Sequence, residues 1–412
     1  MRDRGPYNER LTRRNPLQVA AAPWTAEEIV DRLSESGLRG RGGGWFPAAR
    51  KWEAVRREAA DAPGPPPVLV ANGAEGEPGS IKDRHVMTAR PADVLAGMAI
   101  AARAIGATDA IVYLKGSFVR CAATLEAALA EDPPEGLSVS IRLGADTYVG
   151  GEETAVLESL EGRRAWPRPK PPLPFAVGLD QRPTLVQNVE TLARVPAAVD
   201  DPKGFRASES TFVSLWGSIR RPGVYDVPLG TPLRRVIDEF GGGAPDGIRA
   251  IFPAGPSAPP LSADPADTPL DPDALRAAGS ALGTAAVLVI GASTCPISVA
   301  ASLAAFFERE ACGQCPPCVV GTQNLARVVR SLAAGKARVA DIGSLGEVAG
   351  FMAQHGHCAH GRTAAASVTG LLGRFRGDVE AHVTGGPRHG RHADPFGAAS
   401  PERAAIEGAL LS

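Results

Sequence analysis

The sequence has no excess of charge of either sign: 44 Lys and Arg stand against 45 Asp and Glu, a formal net charge of -1 over 412 residues. A chain so balanced offers no overall field for a polyanion, which excludes nucleic acid and anionic lipid as partners of the whole molecule. Long hydrophobic runs are missing as well. The longest, near ALGTAAVLVIGA (281–292), falls well short of the roughly 20 residues that span a bilayer. The arginine-rich start MRDRGPYNERLTRR lacks the apolar stretch of a signal peptide, so a soluble cytoplasmic protein is expected, with any membrane contact indirect. Cysteine is scarce, and six residues cannot staple a chain of this length. A hydrophobic fraction of 44% still supplies a substantial core, and the length suits about three domains.

Glycine and proline are plentiful. With 47 Gly and 37 Pro they form about a fifth of the chain, against roughly 12% in average globular sequences. Apolar runs recur and no Gly-X-Y period is present, so the surplus reads as shaped loops around folded elements. Residues 1–25 read as an N-terminal arm. From 26 to about 200 the pattern alternates: helix TAEEIVDRLSESGL (25–38) with a capping box, strand VLVAN, loop NGAEGEPGSIKDR (72–84), helix 92–107, strand 109–116, helix 120–131 and strand 137–145. TLVQNVETLARV (184–195) continues into a helix. Such an order predicts an α/β core with its ligand beyond the carboxyl ends of the strands. Residues 205–283 turn to short strands with one helix, 231–241, and a loop-rich connection. A last strand at 285–290 leads into an alanine-rich helical region reaching 382, and 383–412 read as a flexible tail.

Three of the six cysteines, Cys312, Cys315 and Cys318, follow C-x2-C-x2-C, and Cys358 lies forty residues beyond Cys318. Three thiolates at that spacing suit three irons of a [4Fe-4S] cubane, with a distant cysteine for the fourth. Zinc held by cysteines together with His355, His357 or His360 stays open as the alternative. Cys121 falls in an apolar helical pattern and is expected in the core, while Cys295 is ambiguous.

RGRGGG (39–44) supplies flexible amides and two guanidinium groups, a candidate phosphate cradle that is neither a Walker loop nor a dinucleotide fingerprint. NGAEGEPG and GGEET add carboxylates able to accept from ribose or ribityl hydroxyls; ordinary helix capping is the plainer reading of each. Together the three loops point to a nucleotide pocket.

GRGG...FP...KW (40–52), N..EGEPG..KDR (72–84), GEET.....LEG (151–162), PR.KPP.P (167–174), NVETL..VP (188–196), RPGVY.VPLGTPL (221–233) and CG.C.PC..G (312–321) occur in one order across most of 26–382. Their combination resembles the NADH-binding flavoprotein subunit of respiratory complex I and its relatives in NAD-linked hydrogenases and formate dehydrogenases. The resemblance implies an α/β FMN-binding core (26–200), a small ubiquitin-like β-grasp domain (205–283) and a helical [4Fe-4S] domain (284–382). It also implies hydride transfer from NADH to FMN, with single electrons passing on to the cluster. On matched positions, Gly40, Arg41, Gly42, Gly43 and Lys51 approach the flavin phosphate or ring, and Asn72 contacts the flavin. Glu75 sits beside flavin and nicotinamide. Gly151, Glu152 and Glu153 line the pocket, Asn188 and Thr191 help hold FMN, Phe46 stands at the NADH entrance, and the four cysteines ligate the cluster. A thioredoxin-like [2Fe-2S] or ferredoxin-type subunit is the implied partner.

Departures from the family's pattern concentrate in the pocket loops. Trp45 replaces a glycine, Ala74 an aspartate, Gln187 an asparagine and Gly150 a cysteine. Loss of a charged partner costs roughly 1.5–3 kcal/mol where nothing substitutes. Three readings therefore stand: an NADH-oxidising flavoprotein, a flavin and iron-sulfur subunit using another donor, and a non-catalytic paralogue that keeps the cluster for its fold.

Overall fold

Four short runs rich in Val, Leu and Ile form the first sheet: β1 (Val68–Asn72), β2 (Asp109–Lys115), β3 (Ser138–Gly144) and β4 (Thr184–Asn188). The computed structural model describes residues 15–61, 64–263, 267–385, 390–397 and 399–408. The strands run parallel in the order β3-β2-β1-β4. Parallel strands are buried by crossover helices on both faces, and β1 and the edge strand β4 are buried along nearly their whole length while β3, at the opposite edge, is not. Helices Pro91–Ile105 and Val189–Asp200 cross so closely that a Cβ on Gly97 would lie 1.9 Å from the Leu192 carbonyl oxygen. The expected capping box is present at helix Ala26–Ser36, where Thr25 and Glu28 cap one another.

Several helices escaped the sequence pattern, among them Ala48–Asp61, Lys82–Ala89, Pro202–Ala207 and Pro272–Ala277. Each starts inside or beside a Gly- or Pro-rich stretch, which masks helical spacing. The helix expected over 231–241 is divided between Leu233–Arg235 and a wider turn, Val236–Phe240.

The second sheet contains β5 (Ser210–Gly217), β6 (Gly223–Pro228), β7 (Ile248–Phe252), β8 (Leu261–Ser262) and β9 (Ala286–Gly291), in the order β6-β5-β9-β7-β8. Helices Pro296–Arg309, Pro316–Ala333, Leu345–His355 and Ala359–Arg374 follow it. The chain divides into two compact units. One comprises residues up to Gly76 together with Lys82–Phe212; the other comprises Glu77–Ile81 and the residues from Val213 onward. The β-grasp sheet and the cysteine-bearing helices thus share a unit, and within it Arg249 of β7 pairs at 2.8 Å with Asp378 of the last helix of the bundle, Arg376–Thr384.

Of the expected N-terminal arm, residues 1–14 lie outside the described residues; Pro16–Ala20 form a helix with Val19 fully buried. The flexible tail expected over 383–412 needs correction in its described part. Phe396 is fully buried, edge-on to Phe252 and Trp216, and Pro401–Gly408 form a helix. One aromatic with an apolar slot to fill outweighs its polar flanks. Residues 386–389, within that tail, lie outside the described residues. Among the described residues no helix is long and apolar enough to cross a membrane.

Candidate functional site

Adjacent strand ends place the candidate site. Asn72 closes β1 and Asn188 closes β4, opposite one another in register. The chain leaves β1 toward β2 on one side, while β4 lies on the other, so these ends flank the switch point where open α/β sheets bind ligands. Asn188 caps helix Val189–Asp200: its Oδ1 accepts from the Glu190 and Thr191 amides at 3.0 and 3.4 Å, and its Nδ2 donates to Asp83 Oδ2 at 2.8 Å. Asn72 ties two loops together, accepting from the Ala74 amide at 3.1 Å and donating to the Gly151 carbonyl at 2.9 Å. A Cβ on Gly151 would come within 2.5 Å of the Ala74 carbonyl oxygen, so that approach requires glycine. Glu152 caps helix Glu153–Leu160 through the Thr154 and Ala155 amides at 2.9 and 3.1 Å.

The loop 40–46 completes the constellation. The Gly40 amide donates to the Phe46 carbonyl at 2.8 Å, and the Arg41 amide to Thr191 Oγ1 at 2.8 Å. A Cβ on Gly42 would meet Asn188 Cβ at 3.2 Å, and Gly43 takes φ +111°. Phe46 remains 54% exposed. On the next helix, Lys51 Nζ donates to Glu153 Oε2 at 3.0 Å, and Lys170 Nζ donates to both Glu152 and Glu153, at 2.7 and 2.8 Å. Burial pushes the Glu153 carboxyl up, but Lys51 and Lys170 outweigh it and hold the group at about 2.

Arg41 departs from its expected role. Its guanidinium is fully buried and donates to Glu209 Oε1 at 2.5 Å and to the Arg39 and Ser210 carbonyls at 3.0 and 3.2 Å. A charge removed from water needs such partners, so the side chain is committed to the interior and not to an anion in the pocket. The Trp45 ring covers it at 4.2 Å and is itself buried, with the Trp45 backbone at φ +51°. Ala74 belongs to the apolar core cluster of this unit.

Beneath these loops lies a charge network that the sequence announces only faintly. Lys82 Nζ lies 2.6 Å from Asp83 Oδ1 and 3.0 Å from Glu190 Oε2, and Glu190 Oε1 accepts from Arg194 Nε at 2.9 Å. Burial pushes Glu190 up, yet Lys82, Arg194 and Arg41 hold its carboxyl at about 2; burial prevails at Asp83, raised to about 6 against the pull of Lys82. The one available signal was Glu190 and Arg194, four apart in an otherwise apolar helix. Glu75 is anchored beside this network, accepting from the Asp83 amide at 3.1 Å and from Arg84 Nε at 3.2 Å.

In the other unit, Cys315 and Cys358 are the N-caps of helices Pro316–Ala333 and Ala359–Arg374, and Cys318 lies in the first turn of the former. A Cβ on Gly361 would stand 3.6 Å from Cys318 Sγ, so the two helix starts face each other. Burial pushes the Cys318 thiol up to about 12, with repulsion from the neighbouring Cys315, Cys358 and Cys312 adding to it. Among the described residues, no three His, Cys, Asp or Glu side chains gather closely enough to hold one metal ion. Cys315, Cys318 and Cys358 at two positive helix ends, with Cys312 three residues ahead of the first, offer the four thiolates that a [4Fe-4S] cube takes. His360 is instead packed against Phe307, a ring nitrogen 2.9 Å from its carbonyl oxygen, and His355 and His357 are exposed. Cys121 is buried, and Cys295 is buried 3.6 Å from His382 Nε2.

A glycine-looped pocket at a parallel-sheet switch point, a β-grasp sheet and a four-thiol helical segment define a flavin and iron-sulfur electron-transfer protein. The chain matches the Nuo51 FMN-binding domain over residues 33–197, the SLBB domain over 212–259 and the NADH-ubiquinone oxidoreductase-F iron-sulfur binding region over 298–382. It belongs to the family of NADH-quinone oxidoreductase F subunits. It is 39% identical to the NADH-quinone oxidoreductase F 2 subunit of Rhizobium meliloti (strain 1021) over 388 residues, covering 89% of this chain and 91% of that protein. Identity to the NADH-quinone oxidoreductase F subunit of Streptomyces coelicolor is 38%, covering 89% and 85%. Among solved structures, a chain of an NAD+-reducing [NiFe]-hydrogenase in the H2-reduced state superposes with a TM-score of 0.83 at 34% identity, covering 92% of this chain and 67% of that one.

Proposed function

We propose that this chain is an NADH dehydrogenase-type oxidoreductase subunit that oxidises NADH through FMN and passes single electrons to a [4Fe-4S] cluster. FMN supplies the junction, since it takes up a hydride yet releases electrons singly, and the cluster accepts them singly. The observation that carries this reading is the meeting of Asn72, Asn188, Gly151 and the 40–46 loop at the switch point, in a chain whose Cys315, Cys318 and Cys358 stand at two facing helix starts with Cys312 three residues before the first.

The pocket residues fit a flavin phosphate and ring. The Gly40, Gly42 and Gly43 backbone and Lys51 supply positive character; Asn72, Gly151, Glu152, Glu153, Asn188 and Thr191 fix the loops that line the site. Lys51 and Lys170 keep Glu153 ionised, and the Asp83 amide and Arg84 hold the Glu75 carboxylate in place beside flavin and nicotinamide. Phe46, exposed at the loop end, offers a face for the incoming dinucleotide. No side chain has to abstract a proton; the protein's task is to orient the two rings. Cys312, Cys315, Cys318 and Cys358 hold the cluster. Electrons leaving the cluster pass to a partner redox protein, a thioredoxin-like [2Fe-2S] or ferredoxin-type subunit in the cytoplasm.

Anaerobic purification of the full chain tests the assignment. Flavin absorbance that bleaches on NADH addition, with iron at about four per chain, is the expected result. Flavin that ignores NADH would move the donor elsewhere. Stoichiometric zinc without iron would overturn the cluster.

A further inference from the structure

The loop that carries Glu75 continues into Glu77–Ile81, and that segment folds with the β-grasp sheet. The Ile81 amide donates to Ser214 Oγ at 2.9 Å, and Glu77 Oε1 accepts from Ser257 Oγ at 2.6 Å. Gly79, at φ +77°, lies so close to the fully buried Trp216 that a Cβ there would come within 2.0 Å of the indole. Ser257 belongs to a single turn, Gly255–Ser257. On its other side the same turn meets the cysteine helix: the Pro256 carbonyl accepts from Ser367 Oγ at 2.7 Å in a buried contact. Two residues beyond the turn, a Cβ on Gly370 would stand 2.6 Å from Pro259 Cβ. Ser367 and Gly370 both lie on Ala359–Arg374, the helix capped by Cys358. Four residues, Glu77, Ser257, Pro256 and Ser367, therefore form an unbroken bridge from the segment that continues the pocket loop to a helix that presents a cluster ligand.

Nothing in the hydride or thiolate chemistry calls for this bridge. The Ser257 hydroxyl binds Glu77 and the Ser367 hydroxyl binds the Pro256 carbonyl, contacts that serve placement. Reactions between fixed groups are sensitive to placement: a 1 Å error introduced far from the reacting atoms can cost about 100-fold in rate.

We propose that the turn Gly255–Ser257 is a positioning element for electron delivery, with Ser257 and Ser367 holding the continuation of the Glu75 loop against the Cys358 helix. The inference rests on the flavin and cluster reading above. Its test uses the full chain carrying FMN and cluster, as wild type, Ser257→Ala, Ser367→Ala, the double variant, and Ser257→Thr, which keeps the hydroxyl. Rapid mixing with NADH reads flavin bleaching and cluster reduction separately. Bleaching stays at the wild-type rate in every variant, while cluster reduction slows about tenfold in the double variant, the rate change that about 1.4 kcal/mol produces. Ser257→Thr restores most of the rate lost in Ser257→Ala. The second readout needs no turnover: adding FMN to the flavin-stripped chain slows amide exchange in 359–374 of the wild type, and the double variant loses that response. Equal cluster-reduction rates and equal exchange responses in wild type and double variant overturn the proposal. A wild type whose flavin is not bleached by NADH instead refutes the functional reading, while the exchange experiment, run with FMN alone, still decides for or against the bridge.

Discussion

Trp45 sits at φ +51°, where glycine is at ease and an indole is not. It persists there because its ring is buried against the Arg41 guanidinium at 4.2 Å, a cation-π contact away from water. Replacing Trp45 by Gly relieves a backbone cost of about 1–2 kcal/mol and forfeits the burial of a large ring, worth about 3–5 kcal/mol. The expected outcome is a net loss of about 2 kcal/mol in urea unfolding, with FMN affinity changed less than about threefold. A large gain in FMN or NADH affinity would show that the indole fills cofactor space. Glu190 poses the opposite problem, since it neutralises Lys82 and Arg194 where water cannot. Glu190→Gln leaves buried cations uncompensated, so a loss of about 3–5 kcal/mol is expected by denaturant titration. A loss below about 1 kcal/mol would mean that water reaches the network.

At the scale of elements, the pocket is made of helix beginnings placed by strand ends. The helices from Val189 and Glu153 start with capping side chains, Asn188 and Glu152, and Lys51 and Lys170 converge on the second. The Glu153 carboxyl, held at about 2 against its ordinary 4.5, binds protons more weakly in the folded than in the unfolded chain. Its contribution is therefore complete above about pH 4.5 and lost as pH falls toward 2. Glu153→Gln should lower stability by about 2 kcal/mol at pH 7, and the difference from wild type should shrink steadily in melts taken down to pH 3. A pH-independent difference would assign the effect to packing. Most strands and long helices were legible because their apolar runs and periodicity are local, Ala48–Asp61 being hidden behind its glycine loop, and the four-cysteine spacing because it is chemical. Arg41 was not: sequence shows a guanidinium in a glycine loop, but only the fold brings Glu209 and the Ser210 carbonyl to meet it. Lys82 and Asp83 read only as part of a motif, because burial of a charged pair is a tertiary fact. Phe396, in a polar tail, was hidden for the same reason.

At the scale of the whole molecule, the residues proposed to hold FMN fall in one compact unit and the four thiols in the other. Each unit has its own core. The pocket unit buries β1 and β4 beneath crossover helices, and the other unit gathers Phe252, Trp216 and Phe396 around its sheet. Separate cores predict separable cofactor losses. Cys318→Ser removes a thiol that the neighbouring sulfurs and helix starts surround, and a cubane lacking one thiolate ligand is bound less tightly. Iron content should fall well below that of wild type, and the brown absorbance with it, while FMN remains at wild-type stoichiometry. Amide exchange should rise in Pro316–Ala333 and Ala359–Arg374, the helices that begin at the ligands, and stay unchanged in β1 and β4. Loss of flavin together with iron would contradict this division, because it would mean that the pocket unit depends on the cluster for its own fold.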